Sequence, residues 1–246
     1  MNNKAISREN IFRDRVLCMN YLNLPELSDM KPMQRRLINI RNILLLIAVA
    51  TSVRAQEWDI GIDFCSSFIW RGMKIGSGPA IQPFIEYANG NFTVGSWGSC
   101  NLSDDEALET DLYAGYQIDI DENSFLELLL TDYYYPGTSF FESSTHFIEP
   151  MLSIDIGNFC LKGAYMMNNG TGYIYTEAGL IVGNVNLLLG AGDGMYTKES
   201  RYNLCNISIG TSKNLKISDT FSLPLSGYVV LNPSSEQLYI VAGISF

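Results

Sequence analysis

WDIGIDFCSSFIWRG, Trp58 to Gly72, places Trp, Ile, Ile, Phe, Ser, Phe and Trp at every second position, with Asp, Gly, Asp, Cys, Ser and Ile between them. A period of two is the mark of a β-strand with one apolar and one mostly polar face. Read as one strand, Trp58 to Trp70 is about 40 Å of extended chain. Tilted by ~45°, it covers about 28 Å along a membrane normal, close to the ~25 Å apolar band of a transmembrane β-barrel. On this reading Trp58 and Trp70 anchor the strand in the two opposite interfaces, where aromatic rings collect.

The bulk composition fits such a barrel. Of 246 residues, 47% are apolar and 17% are charged, below the roughly 25% charged usual in soluble domains. The longest apolar run is far short of the ~20 residues of a helical span. In a barrel only alternate residues meet lipid, so the chain as a whole need be only weakly apolar.

Residues 1–55 differ in kind. A basic stretch, Met33 to Asn42, precedes a short apolar one, Ile43 to Ala50, and then VRAQ at Val53 to Gln56. This is the layout of a secretory signal peptide cleaved after Ala55. Translation is expected to start at Met30 or Met33, since a signal rarely has so long an extension. Of the 16 Lys and Arg and 26 Asp and Glu, nine and four lie in this leader. The remaining 56–246 barrel thus has seven basic and 22 acidic residues, a poor surface for nucleic acid, whose phosphates need Lys and Arg. Cys65, Cys100, Cys160 and Cys205 remain, widely spaced and without a CxxC pair, so no zinc site is expected. Disulfide pairing among them is left open.

Downstream of the leader, alternating segments recur at 57–70, 80–88, 91–100, 107–120, 124–134, 146–157, 159–168, 172–182, 185–192, 202–212, 221–231 and 237–246. Short turns (ANGN at 88–91, DENS at 121–124, GN at 157–158 and at 183–184) alternate with mostly longer loops such as PGTSFFESST from Pro136 and GDGMYTKES from Gly192. An even number of strands with short turns at one end predicts an all-β fold: a single closed antiparallel up-and-down transmembrane β-barrel of about twelve strands. Both termini fall at the short-turn, periplasmic end. Charges on the predicted lipid face are Asp132 and Lys213 alone, each at a strand end, where the cost falls well below the roughly 2–4 kcal/mol of the bilayer midplane. A secreted soluble β-sandwich is the alternative, but its outer face would carry Lys, Glu and Thr.

The inward face gathers Asp59, Asp63, Glu86, Glu109, Asp111, Asp119, Glu127, Glu149, Asp155 and Glu177 against Arg71 and Lys162, with Tyr113, Tyr133, Tyr173 and Tyr175. Rings of carboxylates attract cations and repel anions. A wet barrel interior is polar in any case, so these are candidate lumen residues and not yet a binding site. Arg71 has two expected roles: pairing with Glu109 or Asp111, or forming the positive side of a field across a constriction.

The stretch Phe68 to Asp119 resembles the TorF-like porin family of Gram-negative bacteria. The resemblance rests on Phe68 with Arg71-Gly72, Gly78-Pro79-Ala80 with Gln82, Gly95 with Trp97 and Ser99, and Glu109, Asp111, Tyr113, Gly115 and Tyr116. It implies an outer-membrane barrel more firmly than any solute. The ending YIVAGISF, with Tyr239 and the terminal Phe246, resembles the signal by which the barrel assembly machinery recognises such proteins.

No catalytic residues, cofactor or metal are expected. His146 beside Ser143, Ser144 and Thr145 falls at a loop edge, and neighbours in sequence do not make a nucleophile–base pair. The expected function is an outer-membrane channel for passive diffusion of small solutes, cation-leaning. The alternative is a closed structural or surface-interaction barrel. The choice depends on whether the lumen is open, and loop length favours neither: the longest loop, 135–145, has room to fold inward or to stand outside. The partners are outer-membrane lipid, the assembly machinery and small solutes; the oligomeric state is left open.

Overall fold

The computed structural model describes residues 58–103, 108–218 and 221–246. The leader and its cleavage after Ala55 lie outside the described residues. The strands are β1 (Trp58–Cys65), β2 (Phe68–Trp70), β3 (Met73–Ile75), β4 (Ala80–Asn89), β5 (Phe92–Asn101), β6 (Leu108–Asp121), β7 (Ser124–Tyr134), β8 (His146–Ile156), β9 (Phe159–Asn168), β10 (Thr171–Val182), β11 (Val185–Gly194), β12 (Ser200–Lys216), β13 (Ser222–Asn232) and β14 (Gln237–Ser245). Among the described residues, twelve of them close an antiparallel up-and-down barrel in the order β1-β14-β13-β12-β11-β10-β9-β8-β7-β6-β5-β4. The other two, β2 and β3, form a separate hairpin.

Closure joins the first and last strands. β1 pairs with β14 over Asp63–Cys65, and Ile62 and Phe246 exchange backbone bonds of 3.1 and 3.0 Å below that ladder. The edge of Phe246 meets the ring of Phe64 at 5.8 Å. Closure leaves no open sheet edge for lipid to contact, as a spanning sheet requires.

Side-chain parity follows the alternating pattern. On the outer face Leu112, Leu128, Leu130, Leu152, Leu189 and Ile209 are 48–54% exposed, an apolar surface far too continuous for contact with water. On the inner face of the same strands Glu109, Asp111, Tyr113, Thr131, Tyr133, Glu149 and Ser153 are buried. Trp58 faces outward at the start of β1, its ring 5.0 Å from that of Tyr87. Leu238 and Ile240 continue the outward row toward Phe246, whereas Tyr239 lies on the other face, partly buried. Turns at the terminal end are tight, as at Gly157, whose φ of +59° suits the two-residue connection to β9.

The expectation for the opening segment fails. The segment 57–70 is not a single strand, and Trp70 is not a membrane-interface anchor. β1 stops at Cys65. Ser66 then donates its N–H to the Ala242 carbonyl at 2.8 Å and accepts the Ala242 N–H on its hydroxyl at 2.9 Å. With those backbone groups satisfied, the chain leaves the wall and turns into the barrel. Phe68, Ile69 and Trp70 are 2–3% exposed inside it. The physical reason is volume. Eight strands enclose a space that wall side chains can fill, and twelve enclose more. Two short strands supply the missing bulk. Of the 135–145 loop, Tyr135 packs inward against Phe147 and the core, while the tip stays outside, with Phe141 97% exposed.

Candidate functional site

The hairpin turns at Arg71 and Gly72, with φ of +48° and +82°. Positive φ at both central residues defines the tight hairpin turn whose twist matches its strands. Glycine takes this conformation freely and Arg does not. A Cβ on Gly72 would lie 1.9 Å from the Cys205 carbonyl oxygen, so the tip is pressed against the backbone of β12. The strands of the hairpin pack on wall aromatics: Phe68 lies 5.5 Å from Trp97, and Trp70 lies 5.3 Å from Tyr196 and 6.3 Å from Tyr133.

Arg71 is held by residues from distant parts of the wall. Its guanidinium donates Nη1 to Glu149 Oε2 at 2.7 Å and Nη2 to Glu149 Oε1 at 2.8 Å. Nη1 also donates to the Tyr196 hydroxyl at 2.7 Å. The Tyr133 hydroxyl donates to Glu149 Oε1 at 2.8 Å. The guanidinium carbon sits 4.2 Å from the Trp70 ring centroid, 4.3 Å from that of Tyr175 and 5.4 Å from that of Tyr196. A forked carboxylate pair and three ring faces use every recognition feature a guanidinium offers. Arg71 therefore pairs with Glu149, and not with Glu109 or Asp111 as the sequence suggested.

Glu109 and Asp111 lie on the inner face of β6, 5% and 4% exposed. Oδ1 of Asp111 has no hydrogen-bond partner among the described residues, while the Glu109 carboxylate meets the Tyr135 side chain from the loop after β7. Asp111 stands opposite Tyr133 in the ladder, so the two acids adjoin the Arg71 cage.

Beneath the hairpin the lumen is open. A cavity of about 750 Å³ runs from Ile69, Arg71 and Gly72 to the turn residues Gly90, Asn91, Glu122, Asn123, Gly157 and Asn158. Asp119, Glu127, Asp155, Glu177 and Lys162 line it, and Lys162 lies 3.4 Å from Glu177. Tyr175 donates to Glu177 at 2.8 Å and accepts from Asn206 at 3.1 Å, linking cavity to cage. Glu86 accepts from the Tyr113 hydroxyl at 3.0 Å. Asp63 is buried beside the β1–β14 seam, and Tyr173 packs near Gly194 at the loop end.

Two participants escaped the sequence reading. Tyr196, 1% exposed, sits in a loop read as polar; its only signal is the bulky pair Met195-Tyr196 amid small and charged residues. The hairpin had a clearer one: Phe68-Ile69-Trp70 is apolar at three successive positions, which suits a strand covered on both faces rather than a lumen wall. The four cysteines are free. His146 bonds no serine: Nδ1 bonds Asp132 at 2.9 Å and Nε2 bonds the Phe140 carbonyl at 2.6 Å.

Fold and site together define a closed up-and-down barrel with an apolar exterior, an acidic interior and an internal hairpin, the architecture of outer-membrane barrels. The chain belongs to the Gcw_chp family, described as a bacterial protein of unknown function, whose model matches residues 50–226. Among solved structures it is similar to the KdgM porin in complex with disordered oligogalacturonate, at 12% identity and a TM-score of 0.47, over 76% of this chain and 97% of that one. It is also similar to outer membrane phospholipase A from Escherichia coli, at 12% identity and a TM-score of 0.42, over 75% of this chain and 90% of that one. The Salmonella typhi enzyme, a dimer with bound calcium, gives 12% and 0.40, over 76% and 87%. Comparison with curated proteins finds no match.

Proposed function

We propose that the protein is an outer-membrane channel for small solutes, favouring cations, whose outer half is closed in this conformation by the β2–β3 hairpin. The observation that carries the reading is the acid-lined cavity of about 750 Å³ that opens among the short turns. Asp119, Glu127, Asp155 and Glu177 outnumber Lys162 there, and carboxylates facing a low-dielectric wall concentrate cations. The TorF-like motifs at Phe68–Asp119 support the porin class. The leader cleaved after Ala55, export, and insertion by the barrel assembly machinery through the Phe246 terminus belong to the same reading.

A second reading, a closed barrel without transport, is favoured by the filled outer half, where Phe68, Ile69, Trp70 and Ile75 are all buried. Planar-bilayer recording under a KCl gradient separates the two. The channel reading expects brief, cation-selective openings in the intact protein and sustained ones once residues 67–78 are replaced by a short turn. A folded barrel that stays silent in both forms overturns it in favour of the second reading.

A further inference from the structure

We infer that the wall cage around Arg71 is a binding site for a solute bearing a guanidinium or alkylammonium group, with Arg71 as the barrel's own occupant until such a solute takes its place. The inference rests on the channel reading for its consequence, opening, but the site itself is argued from geometry alone.

The receptor half of the cage belongs to the wall. Glu149 comes from β8, Tyr133 from β7, Tyr175 from β10 and Tyr196 from the loop after β11. The ligand half belongs to a separate two-stranded element that reaches the wall through Ser66–Ser67 on one side and Gly76–Pro79 on the other. Ligand and receptor are thus joined as two bodies, not as one continuous sheet.

The chemistry of the receptor is specific. Both oxygens of one carboxylate face the fork of a guanidinium, a hydroxyl accepts a third N–H, and Tyr rings cover its faces. That set selects a planar or alkylated cation over a hydrated metal ion, which keeps its oxygen shell.

Charge points the same way. Three buried carboxylates, Glu109, Asp111 and Glu149, crowd this part of the lumen, and among the described residues Arg71 is the one cation bonded to any of them. Glu109 lies toward the loop end of β6, so a cation entering from that end meets its carboxylate before it meets the cage. The occupant also carries its own cost: Arg71 is held at φ +48°, a conformation a non-glycine residue keeps only while its contacts hold it there. A free solute has no such constraint.

Calorimetry with methylguanidinium in detergent micelles, against KCl at equal ionic strength, tests the site without requiring conduction. In the Arg71→Ala variant the cage loses its internal competitor, and binding at least tenfold tighter than in the wild type is expected. Arg71→Ala with Glu149→Gln should lose that gain. Equal affinity in the wild type, the single and the double variant overturns the inference, as does heat no different from KCl. Barrel folding is checked by heat-modified gel mobility. If Arg71→Ala does not fold, Arg71→Lys replaces it: a single ammonium grips the carboxylate less well than the fork, so methylguanidinium should bind tighter than in the wild type, and no gain overturns the site. Binding without conductance in bilayers leaves the site standing and removes the channel; conductance without binding does the reverse.

Discussion

The two halves of the lumen are built from the same strands and behave as different materials. Toward the loops, the interior is a packed core: Trp70, Tyr133, Tyr175 and Tyr196, at 1–3% exposure, surround Arg71. Toward the turns, Glu127, Asp155 and Lys162 keep part of their surface and line an open cavity. The difference comes from fourteen residues that leave the wall after β1 and return at Ala80. Barrel diameter alone decides neither state; the element that fills it does.

The largest test of this contrast removes the filling. Replacing residues 67–78 by a short turn should make the outer half resemble the inner half. Single-channel conductance should rise several-fold, and Trp97, which loses Phe68 as its neighbour, should show red-shifted fluorescence. Next comes Glu149→Gln, which leaves the Arg71 guanidinium buried without its carboxylate. Breaking one side of a buried ion pair costs about 3–5 kcal/mol, to be read as a lower urea midpoint of the refolded barrel. Gly72→Val should cost less, roughly 1–3 kcal/mol, through strained positive φ, with an added clash at the Cys205 carbonyl and proteolytic access to the hairpin. On the other side of the comparison, Glu127→Gln, at a half-buried position lining open lumen, should cost less stability than Glu149→Gln. Its effect should appear instead as a reduced cation preference in the reversal potential.

The smallest effect lies outside the lumen. Both ring nitrogens of His146 face acceptors, the Asp132 carboxylate and the Phe140 carbonyl, an arrangement only the imidazolium satisfies with two N–H donors. Its contribution is complete below the ordinary histidine value of about 6.5 and is lost as pH rises and the ring gives up a proton. Proteolysis within 136–145 should therefore be faster at pH 8.5 than at pH 5.5, and His146→Gln should abolish the difference.

Much of the barrel was readable because its code is local. Leu112, Tyr116 and Ile118 alternate with Asp111, Tyr113 and Gln117, and pleat geometry turns that order directly into outside and inside. The inward placement of Glu109, Glu149, Tyr175 and Glu177 follows from the same parity. The hairpin was not readable that way, because Ser66 continues the count without interruption: Phe68 and Trp70 keep the parity of Trp58. Only the three successive apolar residues betray a segment covered on both faces. Arg71 at the first turn position hid the turn further, since Asn, Asp or Gly usually stands there. Its partner was beyond local reading altogether. Glu149 lies 78 residues away, and which of several inward acids it meets depends on how deep the hairpin reaches.

The departure of the chain at Ser66 also sets where the cylinder is weakest. β13 and β14 pair along Leu225–Asn232, while β1 holds β14 over Asp63–Cys65, with the bonds of Ile62 to Phe246 and of Ser66 to Ala242 at its two ends. The join between first and last strands is therefore the shortest rung of the wall, the place where amide protons should exchange earliest and where a stretched molecule should begin to unzip.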